Sequence, residues 1–203
     1  MGTRAVILVT GLHWQGETIP ETVRLYRHHD GDPSWTLKDI ADGIRAAEKV
    51  CSAKTRRWAD PRYDYTPART VADCIIAASI GWGGADIRVD VDGPGNTKNT
   101  GSPAVYAQAL GPQHYGDQAD LEWAYVVDVR RKGITVYGGY GTVATLRAAG
   151  PQRPEVHLEI LHDDYVPKVR RRIRAGMRAL LKLGWAVNPA PIPVQKQAAV
   201  RRA

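Results

Sequence analysis

Residues 4–10 carry Ala5, Val6, Ile7, Leu8 and Val9 without a polar interruption, a short β-prone run that predicts a first strand. Residues 21–28 alternate instead. Val23, Leu25 and Arg27 fall on one face of a second strand, and Arg24, Tyr26 and His28 fall on the other. The polar stretch 11–20 between them reads as a long hairpin loop. His29-Asp30-Gly31-Asp32-Pro33 ends the second strand, because glycine tolerates positive φ and proline has no N–H to donate.

From there the period changes to that of a helix. Thr36 followed by Asp39 resembles a capping signal, and Leu37, Ile40, Ile44, Ala47 and Cys51 recur on one face of a helix running to about Lys54. A polar loop over 55–67 leads into a second helix over 68–80, with Val71, Ala72, Cys74, Ile75, Ala78 and Ser79 on its inner side. Cys51 and Cys74 then belong to a helix–helix contact as core thiols.

Residues 85–91 alternate strictly and predict a third strand; 92–119 read as a loop-rich insertion with one short helix near 103–110. The clearest hairpin joins 121–128 to 133–138, and the glycines of 138–141 read as too flexible to prolong it. Residues 142–162 fit either a strand or a helix. A last helix is predicted over 166–183, with Pro167 in its first turn and Val169, Ile173, Met177, Leu180 and Leu181 as its apolar stripe. Arg170, Arg171, Arg174 and Arg178 lie off that stripe.

The pattern defines an α+β domain over 1–185, a mainly antiparallel sheet of about four to six strands packed against two or three helices. A flexible tail with Pro189, Pro191 and Pro193 follows over 186–203.

Composition supports a buried core, with 43% hydrophobic and 24% charged residues in 203. No stretch of about 18 apolar residues could cross a membrane, and the run at 5–9 is too short for a signal-peptide core. The expected location is the cytoplasm. Two cysteines make neither a disulfide framework nor a cysteine-rich zinc site.

Charge changes the picture more. The net charge is +7, yet residues 163–203 hold ten basic side chains against two acidic ones, while the first 162 residues are close to neutral. The last helix therefore carries the cationic character. Lys168, Arg170, Arg171, Arg174 and Arg178 are its candidates for contact with an anion or a nucleic-acid backbone. No helix-turn-helix or zinc-finger pattern supports sequence-specific DNA reading.

Two further clusters could carry chemistry. Arg27, His28, Asp30 and Asp32 crowd a strand end, where they can build a turn, recognise an anion or hold a divalent cation. Asp120 and Glu122 share a strand face if that strand begins at Asp120. With His28 and Asp30 they are the alternative metal set, for Mg²⁺ or Mn²⁺ in a phosphoesterase or nuclease. No Rossmann, Walker, HExxH, GxSxG or CxxC pattern occurs, no cofactor is expected, and whether the chain is an enzyme stays open.

The strand-to-turn segment Tyr26-Arg27-His28-His29-Asp30-Gly31 resembles the opening signature of small phage and prophage proteins of unassigned function. The acidic-aromatic strand 120–128 and the return strand 134–137 resemble their second block. This chain departs from them at Asp32, where an aromatic is usual, and at Trp123, where tyrosine is usual. The resemblance implies a phage or prophage origin, a compact α+β domain and a role at the host–virus interface, with no assigned catalytic residues. It makes Tyr26, Arg27, His28, Asp30, Asp120 and Glu122 the recognition set, on two blocks expected to form adjacent strands. The expected function is non-enzymatic binding of a host protein or a phosphorylated, nucleotide-like ligand, in opposition to host defence. Nucleic-acid association through the last helix is the other alternative, and a homodimer is an expected assembly.

Overall fold

The structure, a computed structural model, describes residues 3–12, 20–27, 30–54, 67–80, 87–92, 121–155 and 165–188. In chain order these form β1 (Ala5–Leu12), β2 (Pro20–Arg27), α1 (Pro33–Lys54), α2 (Pro67–Ile80), β3 (Ile87–Asp92), β4 (Leu121–Asp128), β5 (Gly133–Gly141), α3 (Val143–Ala148), α4 (Val166–Lys182) and β6 (Ala186–Val187). The fold is α+β. One mixed sheet has the order β3-β2-β1-β4-β5-β6, and three of its five pairings are antiparallel.

The uninterrupted apolar run of β1 follows from its place in the middle of that sheet. Ala5, Ile7 and Val9 point into the main core with α1, α2 and α4, while Val6 and Leu8 point into a second core closed by Leu146 of α3. A strand buried on both faces has no use for polar alternation. β1 pairs antiparallel with β2 and parallel with β4. The two blocks expected to be adjacent are therefore separated by β1, and β2 and β4 run about 10 Å apart.

The start of α1 differs from its sequence reading. The helix begins at Pro33, and Asp32 caps it by accepting the Ser34 N–H at 2.8 Å. Thr36 and Asp39 sit inside the helix and are buried. Proline at the first helical position lacks only an N–H that would have no helical partner, so Asp32-Pro33 is the stronger start signal. The preceding turn docks on β1. The Gly31 N–H donates to the Thr3 carbonyl at 2.9 Å, and a Cβ at Gly31 would lie 2.6 Å from that of Ala5.

β5 also runs further than its glycines suggested, to Gly141. A Cβ at Gly138 would meet the Trp123 ring at 2.7 Å, so glycine there lets β5 pass over the indole. The register then slips between Leu121 and Trp123, a β-bulge that bends the strand toward α3. Of the ambiguous stretch 142–162, residues 143–148 are helical with Thr142 as N-cap, and 156–162 lie outside the described residues. So do the 93–119 insertion and most of the 11–20 loop. At the other end, residues 186–187, expected to open the tail, pair with β5 as β6; the tail from 189 onward lies outside the described residues.

α4 follows its predicted bounds closely and packs against α1. Ile173 and Leu180 are buried, Val169 and Met177 partly so. Leu181 leaves the expected stripe and is 71% exposed.

Candidate functional site

The strand-end cluster does not converge as a surface site among the described residues. Arg27 is 8% exposed and points into the main core, where its guanidinium donates to Asp39 Oδ2 at 2.6 Å. The Ser79 hydroxyl reaches the same carboxylate oxygen at 3.4 Å. Tyr26 points to the opposite face, against the second core, as strand alternation requires. Asp30 is exposed, with a left-handed φ of 53°. Its carbonyl accepts the Thr36 hydroxyl at 3.3 Å, which fixes it as part of the turn. Glu122 is half-buried, and its backbone N–H donates to the Arg4 carbonyl beside β1. His28 and Asp120 lie outside the described residues. Among the described residues no three His, Cys, Asp or Glu side chains gather to hold a metal ion.

What the sequence did not announce is the interior lock around that strand end. Tyr125, fully buried on β4, donates its hydroxyl to the Gly31 carbonyl at 2.8 Å and so ties the turn to the sheet. Burial, then the negative charge of Asp32, pushes its pKa well above the ordinary tyrosine value. Burial also raises the Asp39 pKa against the lowering influence of Arg27. These groups hold β2, the turn and α1 together.

The last helix builds a different kind of site. Arg170, Arg171, Arg174 and Arg178 line one side of a groove of about 950 Å³, with Pro167, Met177 and Leu181 from the same helix. The rest of the lining, from outside that helix, is Glu155, Trp185, Ala186 and Val187. Lys168 is exposed in the first turn but is not among the lining residues. The structure thus gathers four of the five cationic candidates around one concavity.

The chain end of α4 explains this part of the lining. Gly184 adopts φ 76°; its N–H donates to the Leu181 carbonyl at 2.9 Å, and the Trp185 N–H donates to the Leu180 carbonyl at 3.0 Å. This is a Schellman stop, which reverses the chain and buries Trp185 beside Leu180. Asn188 then fastens the return. Its amide donates to the Gln152 carbonyl at 2.7 Å and its side-chain oxygen accepts the Val136 N–H at 2.8 Å. Residues 152–155 are thereby held beside β6, with Glu155 on the groove. A Leu-Gly-Trp triplet after an apolar stripe was a readable signal for the stop. The two side-chain hydrogen bonds of Asn188 had none.

Electrostatically, α4 runs against the rules of helix stability. Its first turn has no acidic residue and carries Lys168, where the helix dipole disfavours a cation. Arg170, Arg174 and Arg178 stack at i, i+4 and i+8, like charges that destabilise a helix by about 0.2–0.5 kcal/mol a pair. Among the described residues, Arg170, Arg171 and Arg174 form no ion pair, and the Arg178 Nε folds back to the Arg174 carbonyl at 3.3 Å. Arg172 differs: it lies over the Trp35 ring, 3.9 Å from the centroid, and joins α4 to α1. Among the described residues no ion pair offsets this repulsion, the kind of local inconsistency that natural proteins carry at functional or strained sites.

No family model, curated protein or solved structure matches this chain, so the site's own chemistry carries the functional reading.

Proposed function

We propose that the protein is a non-enzymatic binding protein that takes a phosphorylated small ligand into the groove beside α4. The single observation behind this reading is the charge imbalance of the groove, four arginines against one carboxylate. Its volume lies within the range of small-molecule sites. Guanidinium forks match phosphate oxygens, and an apolar floor lowers the dielectric around the bound charge. The phage-type strand and turn signature supports a viral setting, where capturing a phosphorylated signal would counteract a host defence.

The test is isothermal titration calorimetry with inorganic pyrophosphate at low ionic strength. Saturable binding is expected, weakened about tenfold or more by Arg174→Glu, since a charge-assisted hydrogen bond contributes about 1.5–3 kcal/mol. Absence of binding to the wild-type protein, or equal binding by the variant, overturns the reading.

A further inference from the structure

The groove is not uniform along its length, and its two ends ask for different parts of one ligand. Toward the start of α4 the lining is dominated by cations, with Arg170, Arg171 and Arg174; toward the stop Met177, Leu181 and Val187 add apolar surface around the single cation Arg178. Arg170 and Arg178 are two turns apart, a span of about 12 Å along the axis. That length exceeds what a single phosphate occupies. Leu181 stays 71% exposed at the apolar end, an unusual place for a leucine on a helix with so many charges.

Two residues that line the groove carry polar groups with no partner among the described residues. Trp185 is 4% exposed, and its indole Nε1–H is buried without a hydrogen-bond acceptor among the described residues. An indole N–H is only a donor, and a buried unsatisfied donor is costly. Glu155 also lines the groove and forms no ion pair among the described residues. It repels an anion placed next to it and accepts from a hydroxyl or amino group. The site therefore suits a ligand that is anionic at one end and carries, at the other, apolar surface, an acceptor for the Trp185 N–H and a donor for Glu155.

The net charge of the lining, four arginines less one glutamate, is +3. A terminal phosphate carries about −1.5 to −2 at neutral pH, and a bridging phosphate adds one more negative charge. A diphosphate thus comes close to neutralising the groove. We propose that the ligand is a nucleoside 5′-diphosphate. Its phosphates lie along Arg170, Arg171 and Arg174, its base rests against Met177 and Leu181, and its donors face Glu155. This rests on the binding role proposed above and names the ligand class for the same groove.

The experiment compares inorganic pyrophosphate with ADP, GDP, CDP and UDP by calorimetry on the full chain, at one fixed low ionic strength. At least one nucleoside diphosphate is expected to bind ten times more tightly than pyrophosphate. In Leu181→Ser and in Glu155→Gln that ratio falls severalfold. Both positions are at least partly exposed, so neither variant threatens the fold. Equal affinity for pyrophosphate and all four nucleotides overturns the nucleoside inference and leaves the phosphate-binding role standing. Failure of every probe overturns both. Tighter binding of a single-stranded DNA oligomer than of any nucleotide also overturns the inference, and assigns the groove to a nucleic-acid backbone.

Discussion

Arg27 at the end of β2 and Asp39 in the second turn of α1 form a buried ion pair 2.6 Å long, with both side chains at most a tenth exposed. The pair crosses from sheet to helix directly behind the turn that carries Gly31. Removing one partner leaves the other charge in the core, which costs about 3–5 kcal/mol. Arg27→Ala and Asp39→Ala are each expected to lower the unfolding free energy in urea by an amount in that range, with a matching fall in midpoint. Arg27→Met combined with Asp39→Leu, which removes both charges and keeps apolar volume, is expected to recover most of the loss. Chemical denaturation of the three variants checks this; a near-wild-type midpoint for either single variant would contradict it.

Asp39 gives the same pair a pH dependence of unusual sign. Burial raises its pKa from the ordinary 3.8, and Arg27 only partly opposes this. A carboxyl that holds its proton more tightly when folded contributes most below its unfolded pKa, and that contribution fades as pH rises through the folded value. The Asp39 increment to stability is therefore expected to decline with rising pH from 3.8 upward, opposite to the usual salt-bridged carboxylate. A ¹³C titration of the Asp39 carboxyl should show a midpoint above 3.8, moving higher still in Arg27→Met. A midpoint below 3.8 would exclude this account.

α1 is gripped between two helices. At Gly43 the limit is space, because a Cβ there would lie 2.6 Å from the Ile75 Cα of α2. Glycine to alanine in a helix normally stabilises by about 1 kcal/mol. Here the intruding methyl group meets backbone, which cannot rotate away, and over-packing costs about 1–3 kcal/mol. Overpacking wins, so Gly43→Ala is expected to lower the thermal midpoint. An increase in that midpoint would mean that α1 and α2 separate without penalty.

Much of this architecture was legible because hydrophobic period reports burial directly. The unbroken run of β1, the alternation of β2 and the α1 stripe each matched the face that the fold hides. Arg27 even fell on the same face as Val23 and Leu25 in the pattern. Its partner was hidden because Asp39 lies twelve residues away on another element, and a charge among apolar neighbours reads as a surface group until that partner is known. The groove was half legible. Clustered arginines on α4 stood out, whereas Glu155, Trp185 and Asn188 come together only through the Schellman stop and β6, pairings that no local pattern encodes.

The same limit explains why Arg172 could not be told apart from its neighbours in the run Arg170-Arg171-Arg172. The helix turns Arg172 toward α1, where its guanidinium stacks on Trp35, while Arg170, Arg171 and Arg174 face the groove. Their substitutions should divide accordingly. Arg172→Ala is expected to destabilise by about 0.5–2 kcal/mol through the lost cation–π contact, and to shift Trp35 fluorescence. Pyrophosphate affinity should stay unchanged, since Arg172 does not line the groove. Arg174→Ala is expected to do the reverse, leaving the unfolding free energy within about 0.5 kcal/mol of wild type. It should also weaken pyrophosphate binding and flatten its salt dependence, because one fewer cation meets the anion. Denaturation curves and calorimetry at two salt concentrations separate the two arginines. Equal effects on both measurements would mean that α4 acts only as a uniformly charged surface.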